Sequence, residues 1–107
     1  MLHKTVGILI TSANSAQAYR LKNELNTDNV ILGDYNELPA FMLEPGKMIV
    51  LPNPESEAYA HEMLTCCLDN AIDIVYVLDK NEAKFLLEAR RLFSEYGIDI
   101  QLTYNEV

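Results

Sequence analysis

The stretch VGILITSANSAQAYRLKNEL, residues 6–25, decides the fold, because in it a short apolar run passes through a polar corner into a helical pattern. Residues 6–10 are apolar apart from Gly7, which is typical of a parallel strand buried on both faces. The helical pattern follows over residues 15–25, with Ala18, Leu21 and Leu25 on one face. A strand that leads directly into a helix predicts a βαβ unit.

The same alternation continues along the chain. Further strands are predicted over residues 30–33, 48–51, 72–78 and 98–102, and helices over residues 53–69 and 79–96. The second crossover, punctuated by Pro39 and Pro45-Gly46, is irregular, with one helical turn over residues 40–43. We therefore predict a single α/β domain, residues 1–107, with a doubly wound, Rossmann-like parallel sheet of five strands in the order 3-2-1-4-5.

Local signals refine this outline. The pair Asn53-Pro54 predicts the start of the second helix and Asn70 a left-handed end. Asp79 and Glu82 have the spacing of a capping box, and Gly97 is expected to end the last helix. The predicted buried positions of these two helices are Leu64, Cys67 and Leu68 in the first, and Phe85, Ala89, Leu92, Phe93 and Tyr96 in the second.

Composition narrows the classes of function. Among 107 residues, 16 acids and 8 bases give a net charge of −8, which argues against a nucleic-acid or anionic-membrane partner. No apolar run approaches the roughly 20 residues of a membrane helix, so we expect a soluble cytoplasmic protein. Adjacent Cys66 and Cys67 suit neither a zinc site nor a redox pair and are expected to act as small apolar residues.

Ligands of doubly wound sheets bind where the winding reverses, beyond the carboxyl ends of the central strands. In the predicted order, two loops meet there. The candidate binding residues are Ser12, Ala13, Asn14, Ser15, Asp34, Asp79 and Glu82. The corner at Thr11–Ser15 is either only a helix cap or also a weak site for a small anion. Asp79 and Glu82 either cap a helix or position a cation or an amino group.

Nucleotide binding and catalysis find little support in the sequence. Asp34 follows Asn14 by the twenty residues typical of dinucleotide-binding folds, but the glycines of that fingerprint are missing. His3 and His61 have no second ligand or nucleophile at a recognisable spacing. We expect no catalytic residue, no metal and no resident cofactor, and ATP affinity no better than millimolar, about −4 kcal/mol.

Three segments together resemble a known family. They are GILITSANSAQAYRLKNEL, ILGDYNELPAF and the long stretch from KMIVLPNPESEAYAHEM to LFSEYGIDI. In order and spacing they are similar to the domain that precedes the ATP-grasp fold in carbamoyl-phosphate-synthetase-like ligases, over roughly residues 5–102. Asn14 stands where the family's loop has glycine.

The resemblance implies a non-catalytic module that binds a small ligand or assembles with a protein partner. The alternative it leaves open is the N-terminal part, or a split subunit, of an ATP-dependent carboxylate–amine ligase. In such ligases the ATP-grasp subdomains, which supply ATP and Mg²⁺, would begin near Tyr104–Val107. We expect either an ATP-grasp partner or a homodimer, with Phe41, Met42 and Leu43 at the interface.

Overall fold

The computed structural model describes residues 6–44 and 47–102. The expectations for His3, the Pro45-Gly46 turn and the segment Tyr104–Val107 lie outside the described residues.

Strands and helices alternate as predicted. The strands are β1 (Ile8–Ile10), β2 (Val30–Asp34), β3 (Met48–Val50), β4 (Ile74–Val77) and β5 (Asp99–Leu102). The helices are α1 (Ala16–Leu25), α2 (Tyr59–Asp69), α3 (Lys80–Glu88) and α4 (Arg90–Glu95), with a 3₁₀ turn at Ala40–Met42. All strand pairs are parallel and the sheet order is β3-β2-β1-β4-β5, which confirms the predicted fold class.

The two all-apolar strands lie at the centre of the sheet. Leu9 pairs with Ile31 on one side and with Val75 on the other, and both Leu9 and Val75 are fully buried. The edge strands are more exposed: Val50 of β3 is 53% exposed and Asp99 of β5 is exposed. Within the sheet, β1 and β2 are buried at every position, as inner parallel strands are expected to be, whereas β4 is half-buried on one face.

Helices cover both faces of the sheet. One buried cluster joins α2, α3 and α4 to the sheet around Met63, Leu86 and Phe93. The second joins α1 to the other face through Ala18, with Leu21 and Leu25 packed against it. The predicted face of the first helix is thus confirmed, and the sheet is the middle layer of three.

The second helix begins later than predicted, at Tyr59 rather than after Asn53. The Asn53 side chain accepts a hydrogen bond from the Glu55 amide at 2.9 Å, and its carbonyl accepts one from the Ser56 amide at 3.0 Å. These bonds close a local turn of the kind that asparagine favours outside helices. The segment 53–58 is therefore a turn and not a helix. It lies on the face of the sheet that α3 covers.

The end of α2 also differs from the prediction. Asn70 keeps φ at −105°, and Ala71 takes the left-handed conformation with φ of 55°. The Asn70 side-chain amide instead donates to the Cys66 carbonyl at 2.8 Å, which satisfies one of the last helical carbonyls. Leu68, predicted to be buried, is 49% exposed, whereas Leu64 and Cys67 are buried as predicted.

The predicted helix over residues 79–96 is interrupted at Ala89, where φ is −95° and ψ is 4°. The buried face keeps one helical phase across the interruption, through Glu82, Leu86, Ala89 and Phe93. Phe93 is buried as predicted, but Phe85 and Tyr96 are 38% and 55% exposed. Ala83 and Leu86 are buried in α3 instead. Gly97, with φ of 77°, follows α4 as expected.

The cysteines pack as small apolar residues, as predicted. Both are free thiols. Cys67 is fully buried in the hydrophobic cluster around Met63, Leu86 and Phe93, and Cys66 packs against that cluster. Burial raises the pKa of the Cys67 thiol to about 12, so this thiol stays protonated and unreactive at neutral pH.

No helix among the described residues has the length and apolar character needed to cross a bilayer.

Gly7 provides a test of the packing between β1 and β4. A Cβ atom at this position would lie 2.0 Å from the Ala71 carbonyl oxygen, a backbone atom that cannot rotate away. We expect Gly7→Ala to lower the free energy of unfolding by about 2–3 kcal/mol or more, measured by urea denaturation. Gly97→Ala is the control, since its Cβ meets nothing within 4 Å and only the positive φ opposes it, at about 1 kcal/mol. A smaller loss for Gly7→Ala than for Gly97→Ala would contradict the packing described.

Candidate functional site

The carboxyl ends of β1, β2 and β4 meet at one edge of the sheet, where the order of the strands reverses. The predicted binding residues all follow these three strands, so the fold brings them to the same edge. Their roles differ, because some of them bind the backbone of neighbouring loops and one is buried beneath the edge.

The corner after β1 is a tight turn that starts α1. Ser12 has a positive φ of 57°, and its carbonyl accepts hydrogen bonds from the Ser15 amide and from the Ser15 hydroxyl, the latter at 2.7 Å. The Ser15 hydroxyl oxygen in turn accepts from the Ala18 amide at 3.1 Å, so Ser15 is the N-cap of α1. Ala13 is fully buried in the cluster under α1, whereas Asn14 is exposed. Asn14 can reach a ligand, and Ala13 cannot.

Asp34 is the carboxylate that lies against this corner. It is 4% exposed, and its Oδ2 accepts a hydrogen bond from the Asn14 amide at 3.2 Å. Its Oδ1 accepts from the Asn36 amide at 2.9 Å and from the Asn36 side chain at 3.1 Å. Asp34 therefore joins the end of β2 to the corner after β1.

These contacts bear on what the corner can bind. The Asn14 and Ala18 amides, which an anion would use, already have partners, and a carboxylate lies beside them. A second negative group would meet repulsion from Asp34. The weak anion site stays a prediction, and the Asp34 oxygens are engaged with the chain rather than free for a ribose hydroxyl.

Thr11 joins the two central strands at the same edge. Its side chain is fully buried, and its hydroxyl oxygen accepts a hydrogen bond from the Leu78 amide at 2.9 Å. The Thr11 amide donates to the Tyr76 carbonyl at 3.1 Å. The loop after β1 and the loop after β4 are thus fixed to each other at their first residues.

The loop after β4 starts α3 with half of the predicted capping box. The Asp79 Oδ2 accepts a hydrogen bond from the Glu82 amide at 3.0 Å, so Asp79 is the N-cap. The Glu82 side chain turns into the protein instead, where its Oε2 accepts a 3.5 Å contact from the Tyr59 hydroxyl. Glu82 is therefore a buried acid between α2 and the end of β1, not an exposed capping residue.

Glu82 has an unusual environment for a carboxyl group. It is fully buried, and its Oε1 has no hydrogen-bond partner among the described residues. Burial, with the negative charges of Asp79 and Asp34 nearby, raises the pKa of Glu82 to about 8; the Thr11 and Tyr59 hydroxyls act in the opposite direction. The carboxyl group is mostly neutral at pH 7.

A cleft of about 550 Å³ lies next to the start of α3, at the same edge of the sheet. Tyr35 and Asn36, after β2, form one wall; Asn53 and Glu55, after β3, form the second; the third is the exposed side of α3 from Asn81 to Phe85. The sequence analysis missed this cleft, Thr11's role and Tyr59. Thr11 directly follows an all-apolar strand, which is a usable signal, but nothing local distinguishes Tyr59.

The sequence of this domain matches a known protein family. The family model described as "PylC-like, N-terminal domain" matches residues 8–101, from the first strand to the last. The chain belongs to the PylC-like N-terminal domain family. This is a pre-ATP-grasp domain of ATP-grasp ligases, so the resemblance stated from the sequence is confirmed. No curated protein matches the sequence significantly.

In this PylC-like N-terminal domain the polar residues of the carboxyl edge mainly hold the loops together. Within residues 6–44 and 47–102, no three His, Cys, Asp or Glu side chains lie close enough to hold a metal ion. The arrangement Asp34, Asp79 and Glu82 is thus an acidic edge with one neutral member. Its chemistry suits binding and loop positioning.

The raised pKa of Glu82 gives a pH-dependent stability. Between its ordinary value of 4.5 and about 8, the folded protein keeps a proton that the unfolded chain has lost. The free energy of unfolding should therefore fall by up to about 1.4 kcal/mol per pH unit as the pH rises through this window. Glu82→Gln removes the titrating group, so urea denaturation from pH 5 to pH 8 should show a flatter dependence than the parent.

Glu88→Gln, at an exposed position of the same helix, is the matched control and should keep the parent's pH dependence. Parallel curves for the parent and Glu82→Gln would show that Glu82 is ionised in the folded protein throughout this range.

Proposed function

We propose that this domain is a non-catalytic assembly module that docks, through the crossover between β2 and β3, against an ATP-grasp core. The observation that carries the proposal is the exposure of Phe41, which is 88% solvent-accessible in a short 3₁₀ turn. A single exposed phenylalanine is common on protein surfaces, but one accompanied by further exposed apolar side chains is typical of an interaction site. Burying Phe41 on assembly would contribute about 1.5–3 kcal/mol.

Further exposed apolar side chains lie along this part of the chain. Leu43 is 38% exposed and Val50, on the free edge of the sheet, is 53% exposed. Glu44 pairs with Met48 across the edge of β3, which leaves Val50 at the open part of that edge. The interior of the domain is complete without these side chains, so they are available to a partner.

The alternative proposal makes this chain the N-terminal part of an ATP-dependent carboxylate–amine ligase. It is favoured by the family model, which describes an N-terminal domain of such proteins. In both proposals ATP and Mg²⁺ bind to the partner's ATP-grasp fold, and this domain contributes at most a weak small-ligand site at Asn14 and Ser15. The free thiols of Cys66 and Cys67 fit a reducing, cytoplasmic location.

Mixing this chain with a purified ATP-grasp protein that lacks an N-terminal domain of its own separates the two proposals, and the absence of any complex would contradict both. Substrate-dependent ATP hydrolysis that requires both chains supports the split ligase. A stable complex that leaves hydrolysis by the partner unchanged supports the assembly module.

The surface around Phe41 makes a prediction for the isolated chain. Without a partner domain, this surface should pair with a second copy, so sedimentation equilibrium should detect dimers at high micromolar concentration. Phe41→Ser should weaken the dimer at least about tenfold, because each copy loses one buried aromatic side chain.

Tyr19→Ser is the control, since Tyr19 is also exposed, at 42%, but lies on α1. It should leave the dimer unchanged. A chain that stays monomeric throughout, or a dimer that Phe41→Ser does not affect, would rule out this surface.

A further inference from the structure

A second surface lies far along the chain from Phe41, beside α3. The cleft at the carboxyl edge shares Pro54, Glu55 and Phe85 with a second cavity of about 430 Å³, which continues past Tyr59 to Ala89. The two cavities adjoin at these shared residues, and we name the surface that they form together, between residues 53–60 and α3, the α3 groove. It runs alongside the helix from Asn81 to Ala89.

The floor of the α3 groove is aromatic. The rings of Phe85 and Tyr59 meet edge to face with centroids 6.0 Å apart. Tyr59 is almost fully buried. Phe85 is 38% exposed and lines both cavities. Phe85 also lies 5.8 Å from the Lys84 ammonium, so its ring already accepts a cation on one side.

The rim of the α3 groove is acidic. Glu37, Glu55, Glu57 and Glu88 line it, and Lys84 is the cation that faces them. Within residues 6–44 and 47–102, none of these four carboxylates forms an ion pair. The groove therefore combines a partly exposed aromatic ring with an excess of negative charge, on a chain whose net charge is −8.

The length of the groove favours an extended chain over a compact ligand. From Asn81 to Ala89 a helix rises about 12 Å, which is the span of about four residues of extended peptide. Carboxylates stand on both sides: Glu55 and Glu57 on the turn, and Glu88 on the helix. An extended peptide alternates its side chains, so apolar side chains can face Phe85 while the long Lys or Arg side chains between them bend back to the carboxylates of the rims.

We propose that the α3 groove binds an extended, positively charged peptide segment of a partner protein, with an apolar side chain seated on Phe85 and Lys or Arg side chains beside Glu55, Glu57 and Glu88. The interaction is independent of the surface around Phe41. It gives the domain a second contact by which a basic segment could be held near the carboxyl edge.

Fluorescence anisotropy with a short labelled peptide that alternates arginine with leucine tests the proposal. The peptide should bind to the intact chain, and binding should weaken as salt is raised. A peptide of the same charge that alternates arginine with serine should bind at least about tenfold more weakly, since it lacks the apolar contact with Phe85. Equal binding of the two peptides would show general charge attraction and overturn the proposal.

Variants locate the binding site. Phe85→Ala should weaken the arginine–leucine peptide at least about tenfold, and Glu55→Gln with Glu88→Gln at least about threefold. Leu87→Ala, an exposed apolar residue on the same helix, and Glu24→Gln, on α1, should leave binding unchanged. The glutamate substitutions are at exposed positions, so they test the site even if Phe85→Ala perturbs folding.

Two further outcomes decide between this proposal and others. Phe41→Ser should leave peptide binding unchanged, so the groove can fail or succeed separately from the assembly surface. Pentane-1,5-diamine, a small amine without a peptide backbone, should not displace the peptide at comparable concentration. Displacement by the diamine would mean that the groove takes a small amine, and lack of peptide binding, or equal effects of the control variants, would likewise overturn the proposal.

Discussion

The hydrogen bond from the Leu78 amide to the Thr11 hydroxyl is the contact on which the carboxyl edge of this domain depends. It spans 2.9 Å between the ends of the two central strands and is fully enclosed by protein. A hydrogen bond in such a low-dielectric setting is strong, and an amide left without it would carry the full cost of desolvation. The corner that starts α1 and the turn that starts α3 are both placed from this point.

The central part of the fold follows from patterns that a single sequence displays. Strands that are apolar at every position are typical of the inside of a parallel sheet, and β1 and β4 are both inner strands in the observed order, although β4 is half-buried on one face. The start of α2 was mispredicted because Asn53 before Pro54 is as suitable for a turn as for a helix cap. The interruption at Ala89 has no glycine or proline to announce it, and Phe85 and Tyr96 lie at the margin of the buried stripe formed by Glu82, Leu86 and Phe93, which leaves them partly exposed.

The site was less predictable than the fold, since its key contacts join distant parts of the chain. The twenty-residue spacing of Asn14 and Asp34 correctly drew attention to both, and the structure joins them directly. The spacing of Asp79 and Glu82 fits a capping box, but Tyr59 and Thr11 draw the Glu82 side chain inward. The edge of this PylC-like N-terminal domain is thus fastened internally, and the surfaces that we propose for other molecules are the crossover at Phe41 and the α3 groove.

The exchange rate of the Leu78 amide, followed by hydrogen–deuterium exchange with NMR detection, tests the role of Thr11 most directly. Thr11→Val keeps the shape of the side chain but removes the acceptor, whereas Thr11→Ser keeps the acceptor. The account predicts that Leu78 exchanges at least about tenfold faster in Thr11→Val than in the parent, consistent with a loss of 1.4 kcal/mol or more, about the cost of an unsatisfied buried amide. Thr11→Ser should stay close to the parent. Unchanged protection of Leu78 in folded Thr11→Val would contradict the claim that this bond fixes the carboxyl edge.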